Sequence, residues 1–130
     1  MPSLIEDYVQ TLLSAAAHSP IVRASNIQLD KRTNRSGLIR GDLFFGNGAR
    51  LHFRELVNIE DQVARLMYSY HYQDAAGQLI FRYDDTPHHT ELDGFPHHKH
   101  IGQESNVMAT EPPTLVSVLG EIEKTFPLNQ

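Results

Sequence analysis

The most informative segment of the chain is LIRGDLFFGNGARLHFREL, residues 38–56. The Gly46-Asn47-Gly48 run in its middle is a hairpin signal, because glycine and asparagine adopt the positive φ angles of tight turns. Side chains alternate between the two faces of a strand. Pairing Phe45 with Ala49 therefore brings leucine and phenylalanine side chains together on one face, and the segment predicts an antiparallel hairpin with one apolar and one polar face.

The polar face of this hairpin carries two cross-strand pairs. The register places Asp42 opposite His52 and places Arg40 opposite Arg54. Like charges that face each other destabilise a sheet. Two interpretations stay open: Arg40 and Arg54, with His52 nearby, bind an anionic partner, or they belong to a solvated outer face that Asp42, Glu55 and water screen.

A second hairpin is predicted downstream, with strands at residues 62–73 and 78–84 and a turn at 74–77. The trial register sets Gln73 opposite Gln78, and Tyr70 then pairs with Phe81 on an aromatic face. Together the two hairpins predict a set of side chains that helices cover: Leu43, Phe45, Leu51, Phe53, Tyr70 and Phe81. The opposite face is predicted to carry a polar set: His52, Arg54, His71 and Arg82.

The two ends of the chain have helical patterns. Ser3 precedes Glu6 by three residues, which is capping-box spacing, and Ser19-Pro20 ends the first apolar stripe: Ile5, Val9, Leu12, Leu13 and Ala16. Pro112-Pro113-Thr114 precedes the second helix, which Pro127 ends and which has its own stripe: Leu115, Val118, Leu119, Ile122 and Phe126.

Further strands are predicted at residues 21–30 and 99–102, so the element order is helix, antiparallel meander, helix. This order predicts an α+β fold, an antiparallel meander sheet of about five to six strands with the N-terminal and C-terminal helices packed on one face. The length of 130 residues fits a single domain over 1–130.

Composition limits the classes of function. The chain has no cysteine, which excludes disulfides and thiolate metal sites. The N-terminus MPSLIEDYVQ lacks the basic region of a signal peptide, and no apolar run reaches the roughly 20 residues of a membrane span. We expect a cytoplasmic protein with no membrane partner. The net charge of −5 means that any attraction for nucleic acid has to come from a local patch.

Five histidines stand in the segment FRYDDTPHHTELDGFPHHKH, residues 81–100. One interpretation is a metal site, in which imidazoles bind Zn, Ni or Cu and Asp84 or Glu91 completes the shell. No recognised ligand spacing is present, so we predict no cofactor and no required metal. Another interpretation is structural, with histidines that cap turns and bond to Asp84 or Asp85.

The third interpretation is acid–base catalysis, since imidazole transfers protons near neutral pH. RNA cleavage without a metal needs a base for the 2′-hydroxyl, an acid for the leaving oxygen, and cations for the phosphate. The candidate catalytic set is His88, His89, His97, His98 and His100, with Asp84 to orient an imidazole. We predict a pair with one imidazole from His88 or His89 and one from His97, His98 or His100. The candidate substrate-binding set is Arg82, Lys99, Arg40, Arg54 and His52, with Tyr83 stacking on a base.

The blocks YSYHYQ, LIFRYDDTPHH and FPHHKHIG, which span Tyr68 to Gly102, resemble the TumE-type toxins of prokaryotic toxin–antitoxin modules. The resemblance implies a chain that is encoded beside a cognate antitoxin and that cleaves RNA as an endonuclease. Two alternatives remain: a non-catalytic binding module whose histidines hold a partner or a metal, and a metal-dependent hydrolase. The sequence leaves open whether the chain forms a homodimer.

Overall fold

The computed structural model describes residues 4–86 and 96–125. The elements run in the order α1 Ile5–His18, β1 Val22–Thr33, β2 Ser36–Phe45, β3 Arg50–Ile59, β4 Val63–Gln73, β5 Leu79–Asp84, β6 His98–Ile101, β7 Gln103–Ala109 and α2 Leu115–Thr125. The strands form one antiparallel sheet in which each strand pairs with its neighbour in sequence. The predicted α+β meander with a helix at each end is confirmed. None of the helices in the described parts is long and apolar enough to cross a membrane.

The first hairpin has the predicted register. Leu43 lies opposite Leu51, and Gly41 lies opposite Phe53. A Cβ atom on Gly41 would lie 2.3 Å from the Phe53 ring, so glycine lets this ring pack directly on the neighbouring strand. In the turn, Gly48 has the positive φ of 85° that its place in the sequence predicts.

The predicted register of the second hairpin was wrong by two residues. Tyr70 pairs with Tyr83 rather than Phe81, and His71 pairs with Arg82. Gln73 pairs with Leu79, and the register shifts between Tyr72 and Gln73, so the turn and an irregularity displace the pairing by one residue each. A shift of two keeps every side chain on its predicted face. The set predicted for the helix-covered side is accordingly buried: Leu43, Phe45, Leu51, Phe53, Tyr70 and Phe81.

Strand β7 was not predicted. Its sequence, QESNVMA, is polar and gives no alternation of apolar residues, because it forms an edge of the sheet and is largely exposed. The start of α1 also differs from the prediction, since the Leu4 backbone N–H donates to the Asp7 carboxylate at 3.2 Å. Ser3, Phe126 and Pro127, which the helix predictions used, lie outside the described residues.

A buried carboxylate joins α1 to the sheet. Glu55 of β3 is 1% exposed and accepts hydrogen bonds from the hydroxyls of Tyr8 in α1 and Tyr70 in β4. Burial raises the pKa of Tyr8 and Tyr70, and the Glu55 charge raises it further. Burial also raises the pKa of the other tyrosines: Tyr68, Tyr72 and Tyr83. The chain has five tyrosines, so all of them favour the neutral form in the folded state.

We expect Tyr8, Tyr68 and Tyr70, whose pKa values are raised most, to form tyrosinate only when the protein unfolds at alkaline pH. An unfolded tyrosine has a pKa of about 10. Since the folded pKa is higher, the tyrosines stabilise the fold fully below about pH 10, and this contribution is lost as the pH rises above that value. Tyrosinate absorbance and circular dichroism should therefore change together in an alkaline titration. Tyrosinate that forms gradually around pH 10 while the dichroism stays constant would contradict this account.

Candidate functional site

Two rows of mostly polar side chains cross the sheet on the face opposite the helices, which we call the open face. The first row runs from β1 to β7 as Asn26, Asp42, His52, His71, Arg82, His100 and Val107. The second row runs in the same direction as Gln28, Arg40, Arg54, Ser69, Asp84, His98 and Ala109. Strand pairing thus brings side chains from distant parts of the sequence into two neighbouring lines.

Where the two rows cross β5 and β6, they contain a cluster of four ionisable side chains: Arg82, Asp84, His98 and His100. The Asp84 carboxylate lies at the centre. Its Oδ1 is 2.5 Å from His98 Nε2, and its Oδ2 is 3.0 Å from Arg82 Nε and 3.7 Å from His100 Nε2. We call these four side chains the Asp84 cluster.

The backbone fixes which ring nitrogens of the cluster carry hydrogen. His98 Nδ1 lies 2.8 Å from the Pro96 carbonyl oxygen, and His100 Nδ1 lies 2.6 Å from the Glu104 carbonyl oxygen. A carbonyl only accepts, so both Nδ1 atoms donate a hydrogen and both Nε2 atoms face Asp84. A proton then has to lie between His98 Nε2 and Asp84 Oδ1, because two lone pairs at 2.5 Å repel each other.

Exposure differs within the Asp84 cluster. Asp84, His98 and His100 are 3%, 2% and 6% exposed. The Arg82 side chain is 36% exposed, and its Nη1 lies 3.5 Å from Glu104 on β7. Arg82 is therefore the member of the cluster that a ligand in solution reaches first.

His71 lies beside Arg82 in the first row. Burial lowers the pKa of His71, and the positive charge of Arg82 lowers it further. His71 therefore favours the neutral form, and it offers a hydrogen-bonding group rather than a charge. On β3, His52 Nδ1 lies 3.0 Å from Asp42, so this candidate is already engaged with a carboxylate.

Three of the predicted site residues lie on the helix-covered side, away from the Asp84 cluster. Lys99 Nζ is 2.5 Å from Glu121 of α2, and the Tyr83 hydroxyl donates to the same carboxylate at 2.5 Å. His97 stacks on Tyr68 and lies 2.9 Å from its hydroxyl. These contacts hold α2 and the start of β6 against the sheet. His88 and His89 lie outside the described residues.

The Asp84 cluster could also hold a metal ion. Asp84, His98 and His100 each offer one ligand atom, and these atoms lie within 4.8 Å of one another. Two imidazoles and a carboxylate suit Zn²⁺. A metal-binding histidine usually donates its other ring N–H to a carbonyl or carboxylate, as both histidines do here.

Sequence reasoning missed two contributors to the site. Glu104 supplies the carbonyl that binds His100 and the carboxylate near Arg82, but it lies on the unpredicted strand β7. Ser69 lies opposite both Arg54 and Asp84, and only the corrected register places it there. The signal that could have located Glu104 is Gly102, because a glycine after a strand indicates a turn into a further strand. In the structure Gly102 has the positive φ of 73° that such a turn requires.

Comparison with known proteins identifies the class of protein as a toxin. A family model of toxins matches residues 10–126, which is most of the 130-residue chain. The chain belongs to the Toxin TumE family. The resemblance seen over Tyr68 to Gly102 lies inside this match and is confirmed. No curated protein and no solved structure matches the chain significantly.

Proposed function

We propose that this toxin cleaves RNA at the Asp84 cluster without a metal ion. The observation that supports the proposal is the arrangement of two imidazoles whose Nε2 atoms face one carboxylate, with Arg82 beside them on the same open face. An acid, a base and a phosphate-binding cation are the groups that RNA cleavage by proton transfer requires. The family supplies the toxin role and a cognate antitoxin as partner.

The roles follow from the hydrogen bonds. His98 shares a proton with Asp84 and acts as the acid, and His100 accepts a proton at Nε2 and acts as the base. His100 removes the proton of the 2′-hydroxyl, whose oxygen attacks the phosphorus. The bond from phosphorus to the 5′-oxygen breaks, and His98 gives that oxygen a proton. The products are a 2′,3′-cyclic phosphate and a 5′-hydroxyl, with the charge on the phosphate stabilised by Arg82.

The burial of His98 and His100 adds a requirement to the proposal. A phosphate can contact Arg82 from solvent, but the two imidazole side chains are at most 8% exposed. RNA binding at Arg82 therefore has to be accompanied by a local rearrangement that admits the phosphate to both Nε2 atoms. Hydrogen bonds at catalytic sites often reach their final geometry only with substrate bound.

The test is cleavage of a defined single-stranded RNA by the purified full chain in the presence of EDTA. We expect cleavage to continue in EDTA, with products that end in a cyclic phosphate and a 5′-hydroxyl. The same oligonucleotide with 2′-deoxyribose should stay intact, because it lacks the nucleophile. Absence of cleavage with and without added divalent metals would contradict the proposal and favour a non-catalytic binding module.

The metal-ligand geometry of Asp84, His98 and His100 supports a second candidate, a metal-dependent hydrolase. In that case one ion would be held by the three side chains, and the two histidines could not transfer protons through Nε2. Elemental analysis of the purified chain separates the two candidates. About one zinc per chain, lost together with cleavage on chelation, would replace the first proposal by the second.

A further inference from the structure

Arg40 of β2 and Arg54 of β3, which we call the arginine pair, lie directly opposite each other on the open face. Both are exposed, and neither forms an ion pair with a carboxylate among residues 4–86 and 96–125. Arg50 and Arg82, on the same face, do have carboxylates nearby, at 3.8 Å and 3.0 Å. Like charges that face each other across two strands repel, so an anionic ligand would stabilise the arginine pair.

The arginine pair is aligned with the Asp84 cluster. The second row of the open face contains both arginines together with Asp84 and His98 of the cluster, and Ser69 of β4 lies between Arg54 and Asp84. Neighbouring strands are about 4.8 Å apart, so β3 and β2 lie roughly 10 Å and 14 Å from β5. A strand stacked as in a duplex advances about 3.4 Å per nucleotide and would cover this distance with at most roughly three to four nucleotides, and an extended single strand would need fewer.

A third row, of apolar side chains, borders the second row. Leu38, Leu56 and Met67 lie side by side on β2, β3 and β4, next to the arginine pair on the same face. Met67 is 36% exposed, and the two leucines are partly exposed. A pair of cationic side chains with an apolar border matches a single strand, whose backbone is anionic and whose bases are apolar on their faces.

We infer that the open face binds single-stranded RNA across strands β2 to β5. The arginine pair binds a phosphate a few nucleotides from the scissile phosphate at Arg82, and the intervening bases lie against Leu38, Leu56 and Met67. This inference rests on the proposed function for the identity of the scissile site. It also accounts for RNA binding by a chain of net charge −5, because Arg40, Arg54 and Arg82 put positive charge on one face of the sheet.

The experiment measures binding of a fluorescent 2′-O-methyl oligonucleotide, which cannot be cleaved, by fluorescence anisotropy. The test variant is Arg40→Gln/Arg54→Gln. The matched control is Arg32→Gln/Arg35→Gln, which removes the same charge from exposed positions at the β1–β2 turn. We expect the dissociation constant to rise about tenfold or more for the test variant, since charge-assisted phosphate contacts are lost. The control should stay within about twofold of the parent.

Two further measurements test the inference: the dependence of the binding constant on salt concentration, and competition by a duplex. Each phosphate contact to a single strand contributes about −0.7 to the slope of log K against log salt, so the test variant should lose roughly 0.7 to 1.4 of this slope. A duplex of the same length should compete more weakly than the single strand. Equal losses in the test and control variants would show that only net charge matters and would overturn the inference.

Other outcomes separate this inference from the proposed reaction. If the parent binds the oligonucleotide through the arginine pair but cleaves no RNA, the binding surface stands and the reaction fails. If the test variant binds and cleaves RNA like the parent, the proposed reaction is supported and the proposed binding surface across β2 to β5 is wrong. Unchanged RNA binding together with lost binding of the antitoxin would assign the arginine pair to an acidic protein surface and would also overturn the inference.

Discussion

Replacing His98 or His100 by alanine is expected to lower the rate of RNA cleavage by about 10²–10⁴-fold, the usual contribution of a general acid or base. Both imidazoles direct Nε2 to the Asp84 carboxylate, and proton transfer at these atoms is needed only as the reaction proceeds. Loss of a group that acts in the transition state lowers kcat and kcat/KM together. Binding of the uncleavable oligonucleotide should therefore change little, which single-turnover kinetics and anisotropy can measure on the same samples.

A second pair of variants controls for the burial of these histidines. Alanine at a buried position leaves a cavity and an unpaired carbonyl, either of which destabilises the fold. Asparagine keeps a side-chain N–H near the position of Nδ1, so His98→Asn and His100→Asn can retain the bonds to the Pro96 and Glu104 carbonyls. We expect these variants to fold like the parent by circular dichroism and still to lose cleavage.

A histidine outside the open face provides the matched comparison. His18 lies in the last turn of α1, is exposed, and is bonded through Nδ1 to the Ser14 carbonyl at 2.8 Å. His18→Ala should cleave at the parental rate. If the folded His98 and His100 variants also cleave at that rate, both histidines are structural and the assigned acid and base are wrong.

The fold was predictable where apolar and polar residues alternate clearly and where the turn residues are glycine and asparagine. The apolar residues on both sides of Gly46-Asn47-Gly48 fix both the register and the faces of the first hairpin. In the second hairpin, the faces were predicted correctly but the register was not, because the alternation of apolar residues does not reveal the irregularity between Tyr72 and Gln73. Strand β7 has no apolar alternation and becomes visible only as the edge of the completed sheet.

The candidate site was likewise predictable in part. Alternation along β6 puts His98 and His100 on one face, so it necessarily puts His97 and Lys99 on the other, where the structure places them against Tyr68 and Glu121. That consequence was available from the sequence. The orientation of the imidazoles was not, because it depends on carbonyl groups of Pro96 and Glu104 that reach them only after β6 and β7 have formed.

Asp84→Asn is expected to lower cleavage by about 10²–10⁴-fold while leaving the fold nearly as stable as the parent. Asparagine has the volume of aspartate, and its amide nitrogen can donate to His98 Nε2, with loss only of the long bond of 3.3 Å that the Thr86 N–H donates to Asp84 Oδ1. His98 would then be a neutral ring with Nδ1–H bonded to Pro96, and it would have no proton to give to the leaving oxygen. Under the proposed reaction, the carboxylate therefore orients His98 for proton transfer.

Asp84→Ala separates the structural contribution of this carboxylate from its chemical one. Removing one partner from a buried group of charges typically costs about 3–5 kcal/mol of unfolding free energy, and Asp84 is 3% exposed. We therefore expect the alanine variant to unfold at a clearly lower urea concentration than the asparagine variant. Glu121→Gln, which alters the carboxylate that holds Lys99 on the opposite face, is the control and should retain cleavage. An asparagine variant that keeps parental activity in EDTA would show that Asp84 only holds the strands together, since neither a charged acid nor a metal ligand would then be required at this position.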